Sequence, residues 1–144
     1  MTSGNKVRVA IIGIGNCACA LIQGLEFYKS AAEDAEIPGL MHASIGGYHV
    51  RDIEISAAFD VIVGKVGVDV SEAIWAEPNN TIKFSDVPNK GVIVHRGMTH
   101  DGIGKYLQQK VTKAEGPTDD IIGILKDTSV EIEDYKKHVE EKHR

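Results

Sequence analysis

At 144 residues the chain has room for one domain with its own core. Sixteen lysines and arginines against 21 aspartates and glutamates leave a net charge of −5. That balance argues against a chain that wraps nucleic acid or coats an anionic membrane. No apolar run approaches the roughly 20 residues that cross a bilayer, and Met1–Lys6 carries no signal-peptide pattern. A cytoplasmic protein is therefore expected.

Val7 to Ile12 is apolar and β-branched, as expected of a central parallel strand. It runs into Gly13-Ile14-Gly15-Asn16-Cys17-Ala18, the G-x-G-x-x-A form of the dinucleotide fingerprint. In that pattern Gly13 permits a tight turn and Gly15 lets backbone N–H groups approach a pyrophosphate. Ala18 is small enough for the following helix to pack on the strand. The helix start adds unpaired donors and a partial positive charge. The bare alternative is a βα turn that holds nothing.

Asn16 to Lys29 reads as that helix, with Ala20, Leu21, Leu25 and Tyr28 as its sheet-facing stripe. Residues 30–51 break the rhythm with an acidic patch, Pro38-Gly39 and Gly46-Gly47, too long for an ordinary connection. Ile53 to Asp60 is the second strand. Asp60 at its tip suits the adenine ribose hydroxyls, or else closes an Asx-turn. In the ribose role its charge favours NAD over NADP.

Gly67 to Ala76 suggests a helix with Val70, Ile74 and Trp75 on its apolar side, ended by Glu77-Pro78-Asn79-Asn80. Thr81–Phe84 suggests a short strand and Gly91–Val94 a third parallel strand, leading to His95 and Arg96. An arginine there pairs equally well with a carboxylate or a phosphate. Gly102–Val111 and Thr118–Lys126 read as helices, the latter capped by Thr118-Asp119-Asp120. Val130–Ile132 begins like a strand, but Glu133–Arg144 is densely charged and reads as an exposed helical or frayed tail.

Cys17 and Cys19 are placed for neither a structural disulfide nor a zinc site. The six histidines (His42, His49, His95, His100, His138, His143) lack metal-site spacing. No metal is expected.

Five motifs occur in one order: Gly13–Ala18, Ile37-Pro-Gly-Leu-Met-His42, Gly46-Gly-Tyr-His-Val-Arg-Asp52, Ala76-Glu-Pro-Asn-Asn-Thr81 and Asp101-Gly-Ile-Gly-Lys-Tyr106. In this the chain resembles the myo-inositol-1-phosphate synthase family, in its prokaryotic branch, from Val7 to about Val130. The resemblance implies a Rossmann-like α/β fold: a mostly parallel sheet with flanking helices and an incomplete second half. Residues 1–130 would form an NAD-binding domain and 131–144 a charged tail.

NAD is the implied cofactor. Gly13, Ile14, Gly15, Asn16, Cys17 and Ala18 would wrap its pyrophosphate and Asp60 would hold its ribose. The family converts glucose 6-phosphate to inositol phosphate, with NAD reduced and regenerated in each turnover. No residue here, Lys65 and Lys105 included, matches a catalytic motif of the family, which continues into a second domain. The chain alone is therefore expected to be inactive on glucose 6-phosphate unless the remaining domain is supplied. The alternative is a stand-alone NAD-binding module, or a subunit that pairs with a chain carrying that domain. An unpaired first strand invites a homo-oligomer.

Overall fold

The computed structural model describes residues 6–33, 36–99 and 103–128. Strand β1 (Val7–Ile12) leads into helix α1 (Asn16–Tyr28). A small hairpin follows, β2 (Ser44–Ile45) and β3 (Tyr48–His49), then a 3-10 turn at Val50–Asp52 and strand β4 (Ile53–Asp60). Helix α2 (Val70–Ala73), strand β5 (Val94–Arg96), a 3-10 turn at Leu107–Gln109 and helix α3 (Ile121–Thr128) complete it.

The main sheet runs β1-β4-β5, and both pairings are parallel. Val7 faces Ile53 and Ile12 faces Phe59, with a bulge between Val9 and Ala10. The expected α/β architecture, a parallel sheet with flanking helices, is what forms. Both long strands begin and end where their sequence pattern does.

One face of the sheet carries Ile11, Ile55, Ala58 and Val94, packed against Ala18, Cys19 and Ile22 of α1 and against Val70, Ala73 and Ile74. Each fully buried isoleucine or valine contributes about 1.5–3 kcal/mol by leaving water. On the other face Phe59 is buried beside the ring of His95, centroids 5.7 Å apart, while Ile12 is 74% exposed. Among the described residues β1 pairs on one side only, so it forms the sheet edge.

The stripe of α1 differs from the expected one. Ala18, Cys19, Ile22 and Gln23 are buried, whereas Ala20 and Leu21 are exposed. The phase is set by the tight turn at Gly15, which brings Ala18 first onto the strand. Ala18 with Ile22, and Cys19 with Gln23, then stack four residues apart, and the two rows together make the buried side.

Gln23 is buried because its amide has work on the adjoining segment. Its Oε1 accepts from the Phe84 and Ser85 N–H groups at 2.8 and 3.2 Å, and its Nε2 donates to the Ile82 carbonyl. Near the helix start, Asn16 Oδ1 accepts from the N–H groups of Asn80 and Thr81 at 2.8 and 3.1 Å. These side-chain bonds replace the strand expected at Thr81–Phe84: the backbone there is satisfied by a helix, not by a neighbouring strand.

Four further elements shift. Strand β5 starts at Val94, not Gly91, because the Val92 N–H is taken by the Asp69 carboxylate and its carbonyl by the Val70 N–H. Helix α2 ends at Ala73, three residues before its expected end, and Trp75 is exposed beneath Lys83. Within Gly102–Val111 the described residues form only the 3-10 turn. Helix α3 keeps the expected Asp120 cap, whose Oδ1 accepts from the Gly123 N–H at 3.0 Å, but runs Ile121–Thr128 where Thr118–Lys126 was expected. Residues 130–144, which hold the expected boundary and tail, lie outside the described residues.

The long 30–52 segment is tied down from within. The Tyr28 hydroxyl donates to the Pro38 carbonyl at 3.0 Å. The His49 ring bonds the Ala31 carbonyl through Nε2 and accepts from the Arg51 N–H through Nδ1. Gly46 and Gly47, both at positive φ, turn the hairpin. No helix among the described residues is long and apolar enough to cross a membrane.

Candidate dinucleotide site at the glycine turn

The sheet's hydrogen bonding continues past the strand ends into the glycine turn. The Gly13 N–H donates to the Phe59 carbonyl at 2.8 Å and the Gly97 N–H to the Asp60 carbonyl at 2.8 Å. Gly13 sits at φ +93°, a conformation open to glycine and strained for other residues.

Gly15 is the N-cap of α1, and no side chain caps the helix. A Cβ built on Gly13 or on Gly15 would meet nothing within 4 Å. The two glycines of the turn therefore face open space. Cys17 is exposed at its second position, while Cys19 is buried, and both thiols are free.

Asp60 is buried at the tip of β4, and its carboxylate is already engaged. Oδ2 accepts from the Ile14 N–H at 2.7 Å, and Oδ1 accepts from Val61 and Ile62 at 2.7 and 3.0 Å. The Asx-turn of the sequence reading is thus present, and beyond it the carboxylate anchors the glycine turn itself. About one of its four acceptor positions is left for a ligand. A cleft of 140 Å³ opens beside it, lined by Gly13, Asp60, Val61, Gly97 and Met98.

Lys65 went unassigned in the sequence because nothing in its neighbours marks it. It is buried, and its ammonium donates to the Ile14 carbonyl at 2.7 Å and to Asn79 Oδ1 at 2.8 Å. Burial holds this lysine below its usual range, against the pull of the Asp60 carboxylate and Cys19. Asn79 Nδ2 donates to the same Ile14 carbonyl at 3.0 Å. The side chain of Asn16 faces Asn80 and Thr81, so only its backbone is available to an anion.

Arg96 is engaged by carbonyls of its own chain. Its guanidinium is buried and donates to the carbonyls of Ala114 and Gly97, fastening the loop after β5. His95 Nδ1 lies 3.3 Å from the Asp119 carboxylate.

The chain is 50% identical over 127 residues to an inositol-3-phosphate synthase of Mycolicibacterium smegmatis, a match that covers 88% of this chain and 35% of that protein. The inositol-3-phosphate synthase of Mycobacterium tuberculosis is 48% identical over 130 residues, and that of Corynebacterium glutamicum 45% over 130 residues. The chain spans about a third of the length of these relatives. Among solved structures, the crystal structure of Ari2 superposes with a TM-score of 0.58 at 40% identity, over 65% of this chain and 29% of that one. No protein-family model matches the chain. This chain is thus a homologue of the inositol-3-phosphate synthases, matching about a third of a member of that family.

Proposed function

We propose that this chain binds NAD at the glycine turn and serves as the cofactor-holding portion of an inositol-phosphate synthase. One observation carries the reading: an uncapped helix N-terminus, flanked by two glycines with nothing near their missing side chains, at the carboxyl end of a parallel strand. Ligands of doubly wound sheets bind at that end.

The backbone of Gly13, Ile14, Gly15, Asn16, Cys17 and Ala18 would receive the pyrophosphate. The cleft beside Gly97 and Met98 suits the adenosine end, with the remaining acceptor position of Asp60 directed to the ribose. When bound, NAD would supply the reversible hydride transfer that the family reaction on glucose 6-phosphate requires. This chain's residues hold the cofactor and screen its phosphates. The match covers about a third of the relative's length, and sugar-phosphate binding and turnover are assigned to the remainder of a synthase, supplied on the same polypeptide or by a partner. The unpaired edge of β1 is the proposed surface for self-association.

Gly15→Val tests the binding reading. Its φ of −95° accepts a side chain without strain, and the space is empty. The variant should keep its melting temperature within a few degrees while NAD affinity, followed by isothermal titration, falls at least about tenfold. An unchanged affinity would remove the pyrophosphate from this turn.

A further inference from the structure

We propose that Lys65 is a positioning residue for this turn: with Asn79 it pins the Ile14 carbonyl inward and so turns the Gly15 N–H outward to the anion. The proposal rests on the dinucleotide reading above.

The argument starts from the planar trans peptide, in which the carbonyl of one residue and the N–H of the next point in opposite directions. A carbonyl oxygen has two lone pairs. Both of those on Ile14 are met by donors, Lys65 Nζ at 2.7 Å and Asn79 Nδ2 at 3.0 Å. Asn79 is held in turn by the Ile74 carbonyl at 3.0 Å, which ties the arrangement to the end of α2.

The Ile14 N–H is fixed separately by Asp60. The remaining freedom of the turn is therefore rotation of the Ile14–Gly15 peptide. Gly15 has no Cβ to resist that rotation. Reversed, the peptide would aim a carbonyl at the anion and bury the N–H that ought to meet it.

Packing alone does not explain a lysine here. Burying an ammonium is costly unless it is paired and hydrogen-bonded, and an apolar residue of similar length fills the same volume. What the charge adds is a strong donor on one carbonyl.

The test uses Lys65→Met in the full chain, with two readouts. Residual dipolar couplings of the Ile14–Gly15 peptide in the ligand-free protein report the plane directly, and isothermal titration reports NAD affinity. Expected are a reoriented plane, unchanged couplings in β1 and β4, and an NAD dissociation constant raised about tenfold. A lower melting temperature with an unmoved plane and unchanged affinity would reduce Lys65 to a structural role and overturn the proposal. Where the Met variant fails to fold, Asn79→Ala removes the second donor from the same carbonyl, and an unmoved plane there overturns it equally. If the unmodified chain binds no NAD, the dinucleotide reading falls, while the couplings still decide whether Lys65 sets the peptide.

Discussion

Asp69→Ala is expected to lower the unfolding free energy by about 3–5 kcal/mol, a large part of what holds a domain of this size together. Asp69 is buried, and its carboxylate joins two segments of the chain, the start of α2 and residues 90–92. Oδ1 accepts from the Ser71 N–H at 2.9 Å, the Ser71 hydroxyl at 2.6 Å and the Lys90 N–H at 3.1 Å, and Oδ2 accepts from the Val92 N–H at 2.9 Å. It thereby caps α2 and fastens the approach to β5. Alanine leaves these donors facing an apolar gap. Each stranded buried donor costs about 1–3 kcal/mol, with water repairing the outermost.

The same carboxylate predicts how this contribution responds to acid. Burial alone would raise its titration point, but the hydrogen bonds from Ser71, Lys90 and Val92 outweigh it and hold it below the ordinary aspartate value of 3.8. A lowered folded value means that the stabilisation is present above the unfolded value and is lost as pH falls through the folded one. Urea unfolding should therefore show a wide gap between the parent and Asp69→Ala at neutral pH. The gap should close well below pH 3.8. A constant gap across that range would disconnect the carboxylate charge from the fold.

Asp60→Asn should reach further than a loss of ribose selectivity. The Asn oxygen can keep the bonds to Val61 and Ile62, but its amide then faces the Ile14 N–H, donor against donor, at a site where the carboxylate now accepts at 2.7 Å. The glycine turn must move. Stability should fall by about 2–3 kcal/mol, and affinity for NAD and NADP should fall together. Thermal unfolding and titration with both cofactors check this. A variant with parental stability and a selective loss of NAD would return Asp60 to a purely ligand-facing role.

Elements whose boundaries follow from local rules are legible in the sequence. Strands β1 and β4 are runs of β-branched and apolar residues closed by a glycine and an aspartate, and they end there. Helix α1 starts at the glycine turn, and α3 starts after its aspartate cap. The loop anchoring was not legible.

The Thr81–Phe84 run has the alternation of a strand, yet its partners are Asn16 and Gln23, some sixty residues earlier in the chain. No window on the sequence joins those positions. The buried face of α1 departs from its hydrophobic pattern for a related reason. Hydrophobicity does not identify Gln23 as an inside residue; only its partners do. Within the site, the motif placed Gly13–Ala18 correctly at the carboxyl end of β1. Lys65 and Asn79 are brought to it by the fold alone.

The segment beside α1 carries a last consequence, which native-state amide exchange can reveal. Four of its N–H groups, those of Asn80, Thr81, Phe84 and Ser85, end on two side chains of one helix placed about two turns apart. Such amides are released when the helix and the segment part, whether or not the sheet opens. They should exchange with one shared protection factor, below that of the β4 amides, and Gln23→Ala should abolish protection at 84 and 85 first. This stretch is then a small cooperative unit of its own, whose lifetime is set by one glutamine and one asparagine.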